Sequence, residues 1–178
     1  MNAPVSIFES RLAGGHPNSL GNTIEVVEEV LSQPDLLDEL FKCYESSDEV
    51  VRLRTSNGIK RICKADKELI LPYMDRLLTD VAQLDQPSAK WTLAQLFLML
   101  TKSLTEEQKI RALEIMKANL EQCDDWIVQN MTMETIGKWA LRDAALAHWL
   151  IPRLKKNRGD HRKSVASKAS RILTKLDH

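Results

Sequence analysis

The feature that most constrains this fold is an apolar register that returns at a near-constant interval. Val51, Thr55, Gly58, Ile59 and Ile62 recur at offsets 0, +4, +7, +8 and +11, a spacing that places them on one face of a helix. The same offsets return at Ala89, Leu93, Leu96, Phe97 and Leu100, then at Val128, Thr132, Thr135, Ile136 and Trp139, and again at Val165, Ala169, Ile172, Leu173 and Leu176. Successive anchors lie 38, 39 and 37 residues apart. A helical pattern with a period near forty predicts stacked helix pairs, because one amphipathic pair cannot bury its apolar face alone.

The rest of the chain fits around that register. Pro4, Gly14, Gly15, Pro17 and Gly21 interrupt any periodicity over residues 1–21, although Ile7, Phe8 and Leu12 can form one short apolar turn, which predicts a flexible leader able to tuck against the first helix. Asn22 and Glu25 form a capping pair for a helix ending near Gln33, with Ile24, Val27, Val30 and Leu31 on its apolar side. This helix caps the open end of a single domain over 22–178, whose repeats span 34–65, 66–104, 105–142 and 143–177. First helices fall at 35–46, 66–83, 105–122 and 143–156, and second helices at 48–64, 86–102, 125–141 and 161–176. Asp48 and the Asp124–Asp125 pair read as N-terminal caps. Pro34 and Pro72 each precede an anchor by 17 residues, whereas Pro152 precedes Val165 by 13, so the last repeat is the least regular. Gly58, inside a second helix, predicts a close helix approach, since a mid-helix Gly otherwise costs about 1 kcal/mol relative to Ala.

This register resembles that of HEAT-repeat proteins of the armadillo-like superhelix class, whose second helix is similar to D-x-x-V-R-x-x-A-x-x-A-L. The first copy reads Asp48, Val51, Arg52, Thr55, Gly58 and Ile59; the basic position is Lys90 in the second copy but Gln129 and Ala166 in the last two. The resemblance covers roughly residues 34 to 176. It implies an all-α, right-handed superhelix whose second helices line the concave side, and it implies no chemistry. The stretch from Ile136 to Asp143, IGKWALRD, resembles a segment common in the DNA alkylation-repair glycosylases, HEAT-like superhelices that hold damaged DNA with Trp and acidic side chains. No catalytic residue carries over, because Trp139 sits on the core register. The His-Glu pairs of metal-dependent HEAT-repeat hydroxylases have no counterpart, and nothing supports a bilin lyase.

Chemical motifs are sparse. There is no nucleophile-base arrangement, phosphate loop or metal-ligand spacing, so the sequence predicts no catalytic residue, cofactor or metal. Cys43, Cys63 and Cys123 are odd in number and far apart, which points away from disulfides and toward a reduced, cytoplasmic compartment. The N-terminus lacks the basic start and apolar core of a signal peptide, and no apolar run approaches a membrane span, so neither secretion nor membrane insertion is expected. Among the tryptophans, Trp139 and Trp149 read as core and Trp91 as the most exposed.

Charge is the informative property. The 25 basic and 25 acidic side chains balance, yet residues 22–50 hold nine carboxylates against Lys42, and residues 151–178 hold nine Lys and Arg against Asp160 and Asp177. Offsets +3, +6, +10 and +13 of the second helices gather Arg54, Arg61, Lys64, Lys102, Lys138, Lys168, Arg171 and Lys175, with Glu134 the single acid and Met99, Met131 and Leu141 between. A solvated face with structural arginines is one account of this stripe. The functional account is a non-catalytic interaction scaffold that binds an acidic protein or peptide through the basic face. The alternatives are a nucleic-acid-binding protein related to the alkylation-repair glycosylases and head-to-tail self-association of the polarised ends.

Overall fold

The register produces helices where the sequence places them. The computed structural model describes residues 4–177, and among these all regular secondary structure is helical, with ten α-helices, five short 3-10 turns and no strand. It divides into two compact units, one through Thr92 and one from Leu93, a finer division than the single domain predicted over 22–178. The boundary falls inside a helix. Among the described residues no helix is long and apolar enough to cross a membrane.

The first unit contains α1 (Glu9–Leu12), α2 (Thr23–Ser32), α3 (Leu37–Lys42), α4 (Glu49–Ala65), α5 (Met74–Leu78) and the start of α6 (Pro87–Met99). Asp48 caps α4 as expected, its carboxylate accepting the Val50 N–H at 2.8 Å. Asn22 makes no corresponding side-chain bond, and α2 begins instead with the Thr23 hydroxyl donating to the Leu20 carbonyl. The helix predicted over 66–83 is a series of short turns with only α5 between them. Pro72 explains the break, because it has no N–H to donate and its ring crowds the preceding turn. The helix predicted over 35–46 is likewise α3 flanked by 3-10 turns.

The leader makes specific contacts with the rest of the first unit. Met1–Ala3 lie outside the described residues, but Phe8 and Leu12 are fully buried and α1 packs on α4. Ser6 donates to the Glu39 carbonyl at 2.6 Å, and Arg11 pairs with Glu29 at 2.6 Å. Gly14, Gly15 and Gly21 take positive φ, which lets the following chain curl back over α4.

The second unit contains the end of α6 with α7 (Glu106–Gln122), α8 (Trp126–Ala140), α9 (Ala144–Arg158) and α10 (Lys163–Leu176). Asp125 caps α8 through the Ile127 and Val128 amides, while Thr105 and Gln108 close a reciprocal capping box on α7. A polar network then fixes three helices. Gln129 donates to the Leu120 and Cys123 carbonyls at 2.8 and 2.7 Å, and Asn157 donates to Gln129 at 2.8 Å. Trp149, predicted as core, is half-buried between two cations, with Lys117 4.7 Å and Arg153 3.8 Å from its ring centroid.

Of the four registers, only Leu176 is not buried. The two buried helical glycines nevertheless differ. A Cβ on Gly58 would meet Leu40, Val27 and Thr23 at 3.5 to 3.8 Å, ordinary contact, so the expected close approach is absent there. A Cβ on Gly137 would lie 2.7 Å from Ile172 Cγ2, so the tight crossing is between α8 and α10. Gly58→Ala should therefore stabilise the protein by about 0.5–1 kcal/mol through reduced unfolded-state freedom and better helix propensity. Gly137→Ala should destabilise it by about 1–2 kcal/mol through overpacking. Denaturant unfolding of the two variants checks both signs.

Candidate functional site

The α8–α10 crossing creates a cationic concavity in the second unit. Because Gly137 lacks a side chain, Ile172 seats against α8, and a hollow of about 100 Å³ opens beside the contact. Glu134, Lys138 and Leu141 line it from α8 and the turn after it, and Lys168, Arg171 and Lys175 line it from α10. Spacings of three and four residues put each set on one helical face. Four cations thus surround one carboxylate.

That carboxylate is already engaged. Glu134 accepts from Lys168 in a close ion pair and lies 3.3 Å from Lys138 Nζ. The Lys168 hydrogen bond, opposed by partial burial and reinforced by the charges of both lysines, holds the Glu134 carboxyl below its ordinary value of 4.5. Arg171 and Lys175 are exposed and have no carboxylate partner among the described residues. The hollow therefore presents uncompensated positive charge beside Leu141, whose side chain is also exposed.

The loops preceding α8 and α10 hold this geometry. Arg162 reaches across to Asp124 at 2.9 Å while binding Asp160 at 2.7 Å, and it also donates to the Asp124 carbonyl. The Arg162 guanidinium keeps Asp160 well below the usual carboxylate range, and the two carboxylates raise Arg162 in turn. Asp125 alone caps α8, and Asp124, its expected partner in capping, pairs with Arg162 instead. The link spans 38 residues and leaves no local pattern.

The other predicted stripe residues are distributed differently. Lys138, Lys168, Arg171 and Lys175 come together, whereas Arg61 and Lys64 are exposed on α4 in the first unit. Lys102 lies beyond the end of α6, in the turn after it, so it shares no helical face with the others. His178, the last position of the stripe, lies outside the described residues.

Arg54 is a correction. It is only 2% exposed and carries no ligand-facing charge. Its guanidinium donates to the carbonyls of Leu12 at 2.7 Å, Gly14 at 2.6 Å, Ser19 at 3.1 Å, and Ala13 and His16 at 3.2 Å. These bonds fasten the leader over α4. A planar fork with five donors suits a ring of carbonyls that a lysine could not satisfy.

No family model and no curated protein sequence matches the chain. Within the stretch that resembles the alkylation-repair glycosylases, Trp139 is buried and its indole N–H donates to Thr101 Oγ1 at 2.9 Å, while Asp143 caps α9 through the Leu146 amide. Both side chains are committed to packing and capping. The exposed tryptophan is Trp126, at 49%, rather than Trp91, which is half-buried.

Two outcomes follow from these contacts. Arg54→Ala should cost about 3 kcal/mol or more, since hydrogen bonds to charged groups contribute about 1.5–3 kcal/mol each and are lost together. Hydrogen exchange should show the amides of residues 5–21 losing protection in that variant. Glu134 has a lowered folded-state pKa, so its stabilisation is complete above 4.5 and is lost as pH falls through the lowered value. The stability gap between the wild type and Glu134→Gln should accordingly stay constant from neutral pH to about 5 and close below it, as read from denaturant midpoints.

Proposed function

We propose that this chain is a non-catalytic, HEAT-like helical-repeat scaffold of the right-handed solenoid type, which binds an acidic protein segment through the basic face of α8 and α10. The observation that carries the reading is the imbalance at the hollow, where Arg171 and Lys175 stand uncompensated beside the exposed Leu141. Support for the repeat comes from the burial of its register in all four second helices.

The mixture of charge and apolar surface favours a peptide over a phosphate backbone. A strand of nucleic acid offers evenly spaced anions, and its binding is met by an extended run of cations. An acidic segment carrying one aliphatic residue matches cations grouped around Leu141. Like-signed charges at close range reinforce one another's potential and hasten encounter with an anionic partner.

A Glu-rich peptide containing one leucine is a suitable probe, with binding followed by fluorescence polarisation at low and moderate salt. The double variant Arg171→Glu/Lys175→Glu should weaken binding roughly tenfold or more, an energy change of about 1.4 kcal/mol or greater. Its melting temperature should stay close to that of the wild type, because exposed substitutions usually fall within about 0.5 kcal/mol. Equal binding by the folded variant would overturn the reading, and retention of duplex DNA in preference to the peptide would favour the nucleic-acid alternative.

A further inference from the structure

The first unit carries a hollow of its own, of about 220 Å³, lined partly by the acid-rich stretch of the chain. Phe41, Tyr44, Val81 and Leu84 give it apolar walls, and Phe41 is held in place by stacking on Tyr73 with ring centroids 4.3 Å apart. Tyr44 turns its hydroxyl away to Ser56 Oγ at 3.0 Å, so its ring rather than its polar end belongs to the wall. The charged lining consists of Glu45, Asp80 and Arg76. Arg76 is already engaged, 2.8 Å from Asp38 and 3.9 Å from Glu45, and lies over the Phe41 ring. Exposed carboxylates beside apolar walls are what this hollow offers a partner.

The basic face of the second unit presents the complementary arrangement. Leu141 is 52% exposed in the turn that follows α8, and it shares its surface with Lys138, Lys168, Arg171 and Lys175. One surface carries an exposed leucine among cations; the other is a recess with apolar walls whose lining also holds two carboxylates and Arg76. The wider charge pattern has the same polarity, with nine carboxylates against one lysine over residues 22–50 and nine cations against two carboxylates over 151–178.

We infer that the acidic partner of the basic face is a second copy of this chain, with Leu141 of one molecule entering the Phe41, Tyr44, Val81 and Leu84 recess of another. Glu45 and Asp80 then meet Lys138 and the cations of α10. The inference rests on the proposed reading of the basic face and names its partner. The two surfaces are different, so the contact is heterologous and propagates from copy to copy unless the rotation closes a ring. Its electrostatic part weakens as salt rises, because exposed charges are screened beyond about 8 Å at physiological ionic strength.

Sedimentation velocity over a concentration series, at low and high salt, tests this directly. The wild type should gain mass with concentration and return toward the monomer as salt is raised. Leu141→Asp and Glu45→Lys should each weaken association roughly tenfold or more. The double variant Glu45→Lys/Lys138→Glu should recover it, since the exchanged charges attract again. A wild type that stays monomeric throughout, or a Leu141→Asp variant that associates like it, overturns the inference. If that monomer still binds the Glu-rich peptide, self-association alone is rejected and the acidic-partner reading survives. If it binds neither itself nor the peptide, both are rejected.

Discussion

Burial of a single stripe on each long helix governs the rest of this structure. At 3.6 residues per turn, offsets 0, +4, +7, +8 and +11 occupy an arc from about 20° on one side of the anchor to about 80° on the other. Once that arc faces a core, every other position on the helix has its direction set. Caps, ion pairs and hollows form only where this geometry brings polar groups into reach. Asp48 and Asp125 sit one residue before their helices and serve the first free amides of each. Glu134 and Lys138 fall away from the core arc and meet the cations of α10.

What the sequence revealed and what it hid divide along the range of the interaction. The long helices α4, α7, α8, α9 and α10 end within a residue or two of the bounds set by periodicity and caps, because both signals act over one or two turns. Helix α6 is shorter than its expected span because the chain turns after Met99. In the leader, the glycines disrupt all local patterning but the short apolar turn of Phe8 and Leu12, which is buried. The leader's order comes from Arg54, whose acceptors lie 35 to 42 residues away, a distance at which spacing carries no information. Gln129 was likewise read as a lost basic position, although it ties the end of α7 to α8 and α9.

Glycine shows the same division in one residue type. Gly58 and Gly137 are both buried in helix interiors, and propensity treats them alike. Their neighbours decide the difference: Gly58 faces side chains at ordinary separation, whereas Gly137 faces the branched Ile172 closer than any Cβ would permit. The second is the one that shapes a surface. By letting Ile172 seat against α8, it brings the cationic side of α10 beside Glu134 and Leu141.

The same angular reasoning explains why the predicted stripe divided as it did. Offset +3 lies about 60° from the anchor, next to the core arc, whereas +13 lies about 140° away. The two extremes differ in that sense, although the +6 positions Asn57, Gln95 and Glu134, farther round than +10, are half-buried. At +3, Arg54 and Thr92 are buried, Met131 is half-buried, and Lys168 is largely covered and paired with Glu134. At +10, Arg61, Lys138 and Lys175 are exposed, and at +13 so is Lys64, while Lys102 and Leu141, also exposed, lie past the ends of their helices. A cation near the core arc must find acceptors within the protein, because an unpaired buried charge costs several kcal/mol. Arg54 finds them in the leader carbonyls, which puts it out of a partner's reach, and Lys168 finds a carboxylate. Positive charge available to a partner therefore sits farther round the helix and nearer its end, and on α10 those positions are Arg171 and Lys175.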